Sequence, residues 1–309
     1  MWFAETTDAI GTTTYTYDAL DRLTMKQTPE GTLNYTYDLA GNVASIYSSS
    51  LHGASMSYTY DSLNRLSTVV DNNLPAGSNT TIYAYDTASN LVTVTDPNQL
   101  QSTIQYDSLN RLTSLNTAMP NSSAVAGYSY TLGATGNRTG ATEQNSRTLT
   151  WNYDGIYRLT SEAVSADPSG GNGEVDYSLD PVGNRTSVNS SLPGVQSVSL
   201  AGFNLDDWLS SETYDANGNT LTTGGKTFAY DSENHLMSMN GGAVTMIYDA
   251  FGNRISKTVG GVTTKYLVED DVNPTGLPQV AAMIWSGLSG CGGGIAIERV
   301  PRFAHVNVG

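Results

Sequence analysis

One short phrase recurs along this chain, and its recurrence constrains the fold more than any single residue does. It reads Tyr17-Asp18-Ala19-Leu20-Asp21-Arg22-Leu23, again Tyr60-Asp61-Ser62-Leu63-Asn64-Arg65-Leu66, and again Tyr106-Asp107-Ser108-Leu109-Asn110-Arg111-Leu112. Tyr153-Asp154 opens a further copy. A second spelling uses Gly-Asn: Tyr37-Asp38-Leu39-Ala40-Gly41-Asn42, Tyr214-Asp215-Ala216-Asn217-Gly218-Asn219 and Tyr248-Asp249-Ala250-Phe251-Gly252-Asn253. A motif that returns in phase marks stacked supersecondary units, none of which buries its apolar face alone. It also leaves little chain for a separate active site.

The anchors Tyr17, Tyr37, Tyr60, Tyr85, Tyr106, Tyr130, Tyr153 and Tyr177 stand about 20 to 25 residues apart. A degenerate unit is expected at Leu200 to Leu209, where Asn204 keeps its place without a Tyr-Asp pair. The anchors then tighten to Tyr214, Tyr230, Tyr248 and Tyr266, at gaps of about 14 to 18 residues. Before each Asp the residues alternate, as in Thr14-Tyr15-Thr16-Tyr17 and Ser57-Tyr58-Thr59-Tyr60. Strand side chains point to opposite faces in turn, so this alternation predicts strands, and Thr and Tyr both suit a half-buried pleated surface. Asp-x-x-Gly-Asn is turn chemistry: Gly reaches positive φ without steric cost, Asn tolerates it, and Asp bonds its own backbone two residues on. A second alternating run follows, such as Arg111 to Leu115 or Arg254 to Val259. Strand, tight turn, strand is a β-hairpin. The expected fold is all-β: stacked antiparallel hairpins forming a β-solenoid or part of a barrel-like shell. Residues 1–280 read as one continuous repeat array, and 281–309 as an atypical, irregular tail.

The formal net charge is −15, from 29 acidic and 14 basic residues, which argues against nucleic-acid binding. Seven of the ten arginines (Arg22, Arg65, Arg111, Arg138, Arg158, Arg185, Arg254) read as occupying one slot of the repeat, paired with a neighbouring Asp. Cys291 is alone, so no intramolecular disulfide is expected. No apolar run reaches membrane-spanning length. The N-terminus lacks the basic-then-apolar pattern of a secretory leader. Export by another route, or a preceding stretch of chain, would each account for a sequence that opens almost inside a repeat.

These units resemble the YD repeats of the Rhs and teneurin-like families, which include bacterial polymorphic toxins and the cocoons of Tc-type toxins. The resemblance runs from about Tyr15 to Val280. The segment Asn273-Pro274-Thr275-Gly276-Leu277-Pro278-Gln279-Val280 adds to it, being similar to a strand near the start of the Rhs-associated core. The resemblance implies a non-catalytic β-shell that encloses or presents a cargo polypeptide, a toxin among them, with the missing parts of the same shell as further partners. It also implies a secreted or cell-surface location. Family members continue into a core whose aspartates release the C-terminal tip by self-cleavage, and the positions that would bear that activity are not in this sequence. After Val280 the Tyr-Asp phase is lost, Arg299, Arg302 and His305 appear without alternation, and the tail reads as out of frame or a remnant.

No catalytic, cofactor or metal site is expected. His52, His235 and His305 lie far apart without the neighbours a zinc site needs. No serine sits in a Gly-x-Ser-x-Gly elbow, and Gly170-Gly171-Asn172-Gly173 lacks the Lys-Ser/Thr of a phosphate loop. A ladder of Asp could ligate calcium, but an Asp opening a turn ordinarily caps its own backbone. Nineteen Tyr against five Phe predicts rings that pack while their hydroxyls reach water or a partner. Exposed Tyr, Asp and Asn on the outer face give an alternative function, adhesion to surface glycans in the teneurin manner. The residues expected to matter are the structural anchors: Tyr17, Asp18, Tyr37, Asp38, Tyr60, Asp61, Tyr106, Asp107, Tyr153, Asp154, Tyr214, Asp215, Tyr248, Asp249, Gly252 and Asn253. Open sheet edges predict that the isolated chain forms oligomers or aggregates.

Overall fold

The structure is a computed structural model describing residues 5–8, 11–50, 53–121, 123–200, 202–269, 272 and 279–286. Among them the only helical turn is a 3-10 turn at Asn240–Gly242, and antiparallel strands joined by short turns make up most of the rest. His52, Asn273 to Pro278, Cys291, Arg299, Arg302 and His305 lie outside the described residues. The chain divides into two compact units, residues 1–81 with 214–309, and residues 82–213.

In the first unit the strands Glu5–Asp8, Gly11–Tyr17, Leu23–Thr28, Gly31–Tyr37, Val43–Ser48, Ser55–Tyr60 and Leu66–Asp71 follow one another. Every neighbouring pair that is registered runs antiparallel. The Tyr two places before each anchor sits opposite an apolar residue of the next strand: Tyr35 against Ile46, Tyr58 against Val69. An aromatic facing a β-branched side chain contributes roughly 0.2–1 kcal/mol per pair. In the first hairpin the partner is Lys26, whose ammonium lies 6.0 Å from the Tyr15 ring centre. These inner rings are buried, and so are Leu33, Ile46 and Met56.

The same unit contains a C-terminal set of strands, ending in Arg254–Val259, Val262–Glu269 and Gln279–Ser286. The change of character expected at Val280 falls inside the last of these, so residues 281–286 continue the sheet instead of starting an irregular tail. The tail misleads because it drops the Tyr-Asp text while keeping a strand-compatible run, Val280-Ala281-Ala282-Met283-Ile284. These strands lie against the N-terminal hairpins. The Ala54 N–H donates to the Ala281 carbonyl at 2.9 Å, and Lys265 Nζ stands 3.6 Å from Glu30 Oε1. A Cβ on Gly31 would meet the Leu267 Cδ2 methyl at 3.3 Å. Leu267, Val268 and Ile255 are buried, as are the charged Lys26, Glu30 and Glu269. A cavity of about 20 Å³ beside Lys26, Glu30 and Tyr15 has room for one water, which suits a seam containing buried charge.

The second unit is a meander. The strands Leu91–Thr95, Gln101–Tyr106, Leu112–Ala118, Ala124–Leu132, Arg138–Glu143, Thr148–Tyr153, Leu159–Ser165, Gly173–Leu179, Arg185–Ser190 and Val198–Ser199 each pair with the next, without a break. Few of its large side chains are fully buried; Tyr83, Leu91, Ile104, Val164 and Val175 are the chief ones among the described residues.

Candidate functional site

The most ordered chemistry in the molecule is the Tyr-Asp turn itself. In the first copy the Asp18 N–H donates to the Arg22 carbonyl at 2.9 Å, and the Asp21 N–H donates back to the Asp18 carbonyl at 3.0 Å. Asp18 Oδ1 accepts the N–H groups of Leu20 and Arg22 at 2.8 and 3.0 Å. Oδ2 accepts Arg22 Nε at 2.7 Å. The third residue after the Asp takes positive φ: 58° at Asp21, 57° at Asn64, 91° at Gly41 and 81° at Gly252. That is why the sequence mostly places Gly, Asn or Asp there, with Ser89 and Tyr157 taking the same conformation at 68° and 65° in two copies. The strand register shifts by one residue at the anchor Tyr, as between Thr16 and Tyr17 and between Thr59 and Tyr60, so these Tyr-Asp hairpins close through a bulge.

The fourth residue after the Asp always brings a donor to Oδ2, but of varying chemistry. Arg65, Arg111 and Arg158 use Nε at 2.6 to 2.7 Å on Asp61, Asp107 and Asp154. Asn42, Asn90, Asn184, Asn219 and Asn253 use Nδ2 at 2.8 to 3.1 Å. His235 does the same through Nδ1, 3.1 Å from Asp231, with its ring stacked on Tyr248 at 4.7 Å. The two spellings of the repeat are therefore one structure. The sequence contains a signal for this, since a donor stands four residues after the Asp in every such copy.

The arginines consequently occupy two slots, not one. Arg22, Arg65, Arg111 and Arg158 pair with their own Asp. Arg138, Arg185 and Arg254 stand one residue later, because Asn fills the donor slot, and they lie over the rings of Tyr130, Tyr177 and Tyr266 at 4.4 to 5.7 Å. Two anchors also move. The turns after Tyr130 and Tyr177 begin at Gly133 and Asp180, so Leu132 and Leu179 take the anchor place and the two Tyr stand two residues earlier. The degenerate unit has the same turn: Asn204 Oδ1 accepts the Asp206 and Trp208 N–H groups, each at 2.9 Å.

Five of the anchor Tyr tie their hairpins to the preceding ones. The Tyr37 hydroxyl donates to the Leu23 carbonyl at 2.7 Å, Tyr60 to Val43 at 2.9 Å and Tyr106 to Leu91 at 3.1 Å. Tyr153 reaches Arg138 and Tyr248 reaches Leu236 in the same way, at 2.7 and 3.1 Å. Sequence reading foresaw hydroxyls seeking a partner but not that the partner is the neighbouring hairpin's backbone. Turns also bond to turns, as where Asn42 Nδ2 donates to Asn64 Oδ1 at 3.2 Å and Arg158 Nη1 donates to the Asp180 carbonyl at 2.9 Å.

The electrostatics follow from these bonds. The Arg22 N–H and then the Arg22 guanidinium hold the Asp18 carboxyl below its ordinary value, and Asp61 and Asp154 are lowered in the same way. At Asp38 and Asp215 the Asn side chain is the largest lowering cause. Burial, with the Asp38 charge behind it, pushes the Tyr60 hydroxyl up to about 12, so it stays a neutral donor. Among the described residues no group of three or more His, Cys, Asp or Glu stands close enough to hold a metal.

A family model described as RHS repeat matches residues 4–33 and 85–118. No curated protein matches. Among solved structures the chain is similar to the TcdB2-TccC3-TEV crystal structure, with a TM-score of 0.71 at 15% identity over 92% of this chain and 17% of that one. It is similar to TcdB2-TccC3 without its hypervariable C-terminal region, with a TM-score of 0.69 at 14% identity over 92% and 19%. The Photorhabdus luminescens Tc holotoxin pore gives 0.57 at 17% identity over 89% and 15%. The chain thus spans less than a fifth of the length of these structures, and at such identity the likeness is one of fold. Two stretches of the chain thus match the RHS repeat, and the whole shares its all-β fold with these Tc toxin structures.

Proposed function

We propose that the chain is a non-catalytic wall segment of an Rhs shell, and that the shell encloses a cargo polypeptide on its way out of the cell or at the cell surface. The observation that supports this is the stitch repeated from hairpin to hairpin: an anchor hydroxyl on the preceding strand's carbonyl, and turn bonded to turn. A wall must resist peeling at any point along its length. Extra bonds between successive hairpins, added to the strand ladder, supply that resistance in a way a binding or catalytic site would not need. Residues 1–280 act in this reading as one array, and the anchors are structural. The partners are the cargo and the remaining shell.

The test is to read the locus past the codon for Val280 in all three frames and to express the shell with whatever polypeptide follows. Protease at a level that degrades the downstream polypeptide alone is expected to spare it inside the shell. Equal cleavage in both cases would overturn the enclosing role.

A further inference from the structure

Around residues 191–213 the sequence pattern and the strand ladder lapse together. The turn there keeps its shape but changes its fittings: Phe203 stands in the anchor place, Asn204 in the Asp place and Trp208 in the donor place. Phe203 has no phenolic oxygen with which to make the stitch that Tyr153 makes to Arg138. Leu132 and Leu179 also lack that oxygen, but each ends a strand of seven or nine residues and is followed by one of six. The strands flanking Phe203, Val198–Ser199 and Thr213–Tyr214, have two residues each.

Between those two strands the turn is closed by an isolated bridge, Phe203 to Leu209. Val198–Ser199 is the last strand in sequence of one sheet, and Thr213–Tyr214 is the first of another. The chain passes from the second compact unit to the first at the same point, between Thr213 and Tyr214. Its other crossing, at Thr81, falls inside a six-residue strand, Thr80–Tyr85. No described residue from Ser191 to Thr213 is buried. The Leu200 N–H on the Thr186 carbonyl and Asn184 Nδ2 on Asp207 Oδ1, at 2.9 and 2.8 Å, tie the turn to the hairpin before it.

Local opening costs least where buried apolar side chains and ladder bonds are fewest. An exposed tip is not enough by itself. Leu39 and Leu205 are 109 and 103% exposed, but Leu39 stands between the seven-residue strand Gly31–Tyr37 and the six-residue strand Val43–Ser48, with Tyr37 bonded to Leu23. A protease must draw residues on both sides of the scissile bond out of the ladder, which the short strands around Leu205 allow. A cut there does not free either piece. The strands after Tyr214 are docked on the N-terminal hairpins within the first unit, through the Ala54 N–H on the Ala281 carbonyl and Lys265 beside Glu30.

We propose that residues 203–209 are a processing site, where the array opens locally and an endoprotease nicks the chain without taking it apart. The class of protease follows from the side chains on offer. Residues 191–213 contain no Lys or Arg, whereas Phe203, Leu205, Trp208 and Leu209 suit an enzyme that cuts after a large apolar residue. This goes beyond the wall role and fails separately from it, since a wall whose pieces stay joined shields its cargo with or without the nick.

Limited chymotrypsin digestion of the whole chain, with each cut placed by mass, tests it. Among the described residues the first cut is expected after Phe203, Leu205, Trp208 or Leu209, at least tenfold faster than after Leu20, Leu39 or Leu109. The nicked chain is expected to elute with the intact one and to part only in denaturant. As a check independent of protease preference, the Asn204 N–H on the Trp208 carbonyl is expected to exchange at least tenfold faster than those of Asp154 and Asp180, which make the same turn bond at the same 2.9 Å. Equal cutting after Leu39 or Leu109, or equal exchange of the three amides, would overturn the local opening. Pieces that separate without denaturant would overturn the retained nick.

Discussion

Residues 1–81 with 214–286 and residues 82–213 are written in the same repeat and closed by the same turn, yet they bury very different amounts of apolar surface. In the first unit Leu33, Ile46 and Leu267 are 0 to 1% exposed and the inner Tyr35 and Tyr58 are also buried. In the second the corresponding residues divide: Tyr83 and Ile104 are buried, whereas Tyr130, Trp151 and Tyr177 are only half-buried. The turn bonds do not differ: Arg65 on Asp61 and Arg158 on Asp154 match to 0.1 Å. What differs is the second layer. In the first unit the C-terminal strands bring Leu267 and Val268 onto the N-terminal hairpins. The repeat therefore specifies the stitch, and residues far from it in sequence decide how deeply a given copy is buried. An array built this way can keep its edge chemistry constant while its faces meet different surroundings.

The comparison can be broken most easily in the core. Leu33→Ala or Leu267→Ala is expected to destabilise the first unit toward the upper part of about 2–5 kcal/mol, because the covering layer leaves a cavity that cannot collapse. Ile104→Ala in the second unit is expected near the lower end of that range. Urea midpoints of the three variants check the order, and an equal loss at Ile104 would remove the distinction.

The stitch is expected to be worth the same in both units. Tyr60→Phe and Tyr153→Phe each delete one hydroxyl on a neighbouring carbonyl, for about 1 kcal/mol apiece. Unequal losses would mean that burial, not the hydrogen bond, sets the value of the anchor.

The single turn is expected to register on the same scale. Asp61→Ala and Asp107→Ala remove the acceptor of two backbone N–H groups and one guanidinium, and a fall of a few degrees in melting temperature is expected from each. Arg111→Asn, which exchanges one natural donor for another, is expected to fall less than Asp107→Ala.

Acidity acts on every turn at once. The turn carboxyls, Asp18, Asp38, Asp61, Asp154 and Asp215 among them, have folded values below the ordinary 3.8, so the folded chain binds fewer protons than the unfolded one near that pH. Their contribution is complete above about pH 4 and is lost as pH falls through the lowered values. A melting temperature that already declined between pH 6 and about pH 5 would point instead to other groups.

Much of this was readable in the chain. Thr-Tyr alternation predicts the strands, and Asp-x-x-Gly-Asn predicts both the turn and its positive φ, which the structure places at Gly41, Gly218 and Gly252. Three things were not readable. Arg138, Arg185 and Arg254 look like the pairing arginines until the structure shows an Asn in the donor slot, holding the Asp oxygen at Asp180 and Asp249, and each guanidinium over a ring instead. The turn at Gly133 has lost its Asp, so the nearest Tyr misplaces it by two residues. The acceptors of the Tyr37, Tyr60, Tyr106, Tyr153 and Tyr248 hydroxyls lie 12 to 17 residues away on another hairpin, a distance no local pattern encodes.

The most direct test of a shared stitch under unequal burial is residue-resolved hydrogen exchange on the whole chain. The N–H groups of Arg65, Arg111 and Arg158, held by their Asp carboxylates, are expected to be protected alike in both units. Mid-strand amides of Gly31–Tyr37 and Val43–Ser48 are expected to outlast those of Gln101–Tyr106 and Leu159–Ser165. Uniform mid-strand protection across the two units, or turn amides that exchange as freely as those of an open loop, would contradict it.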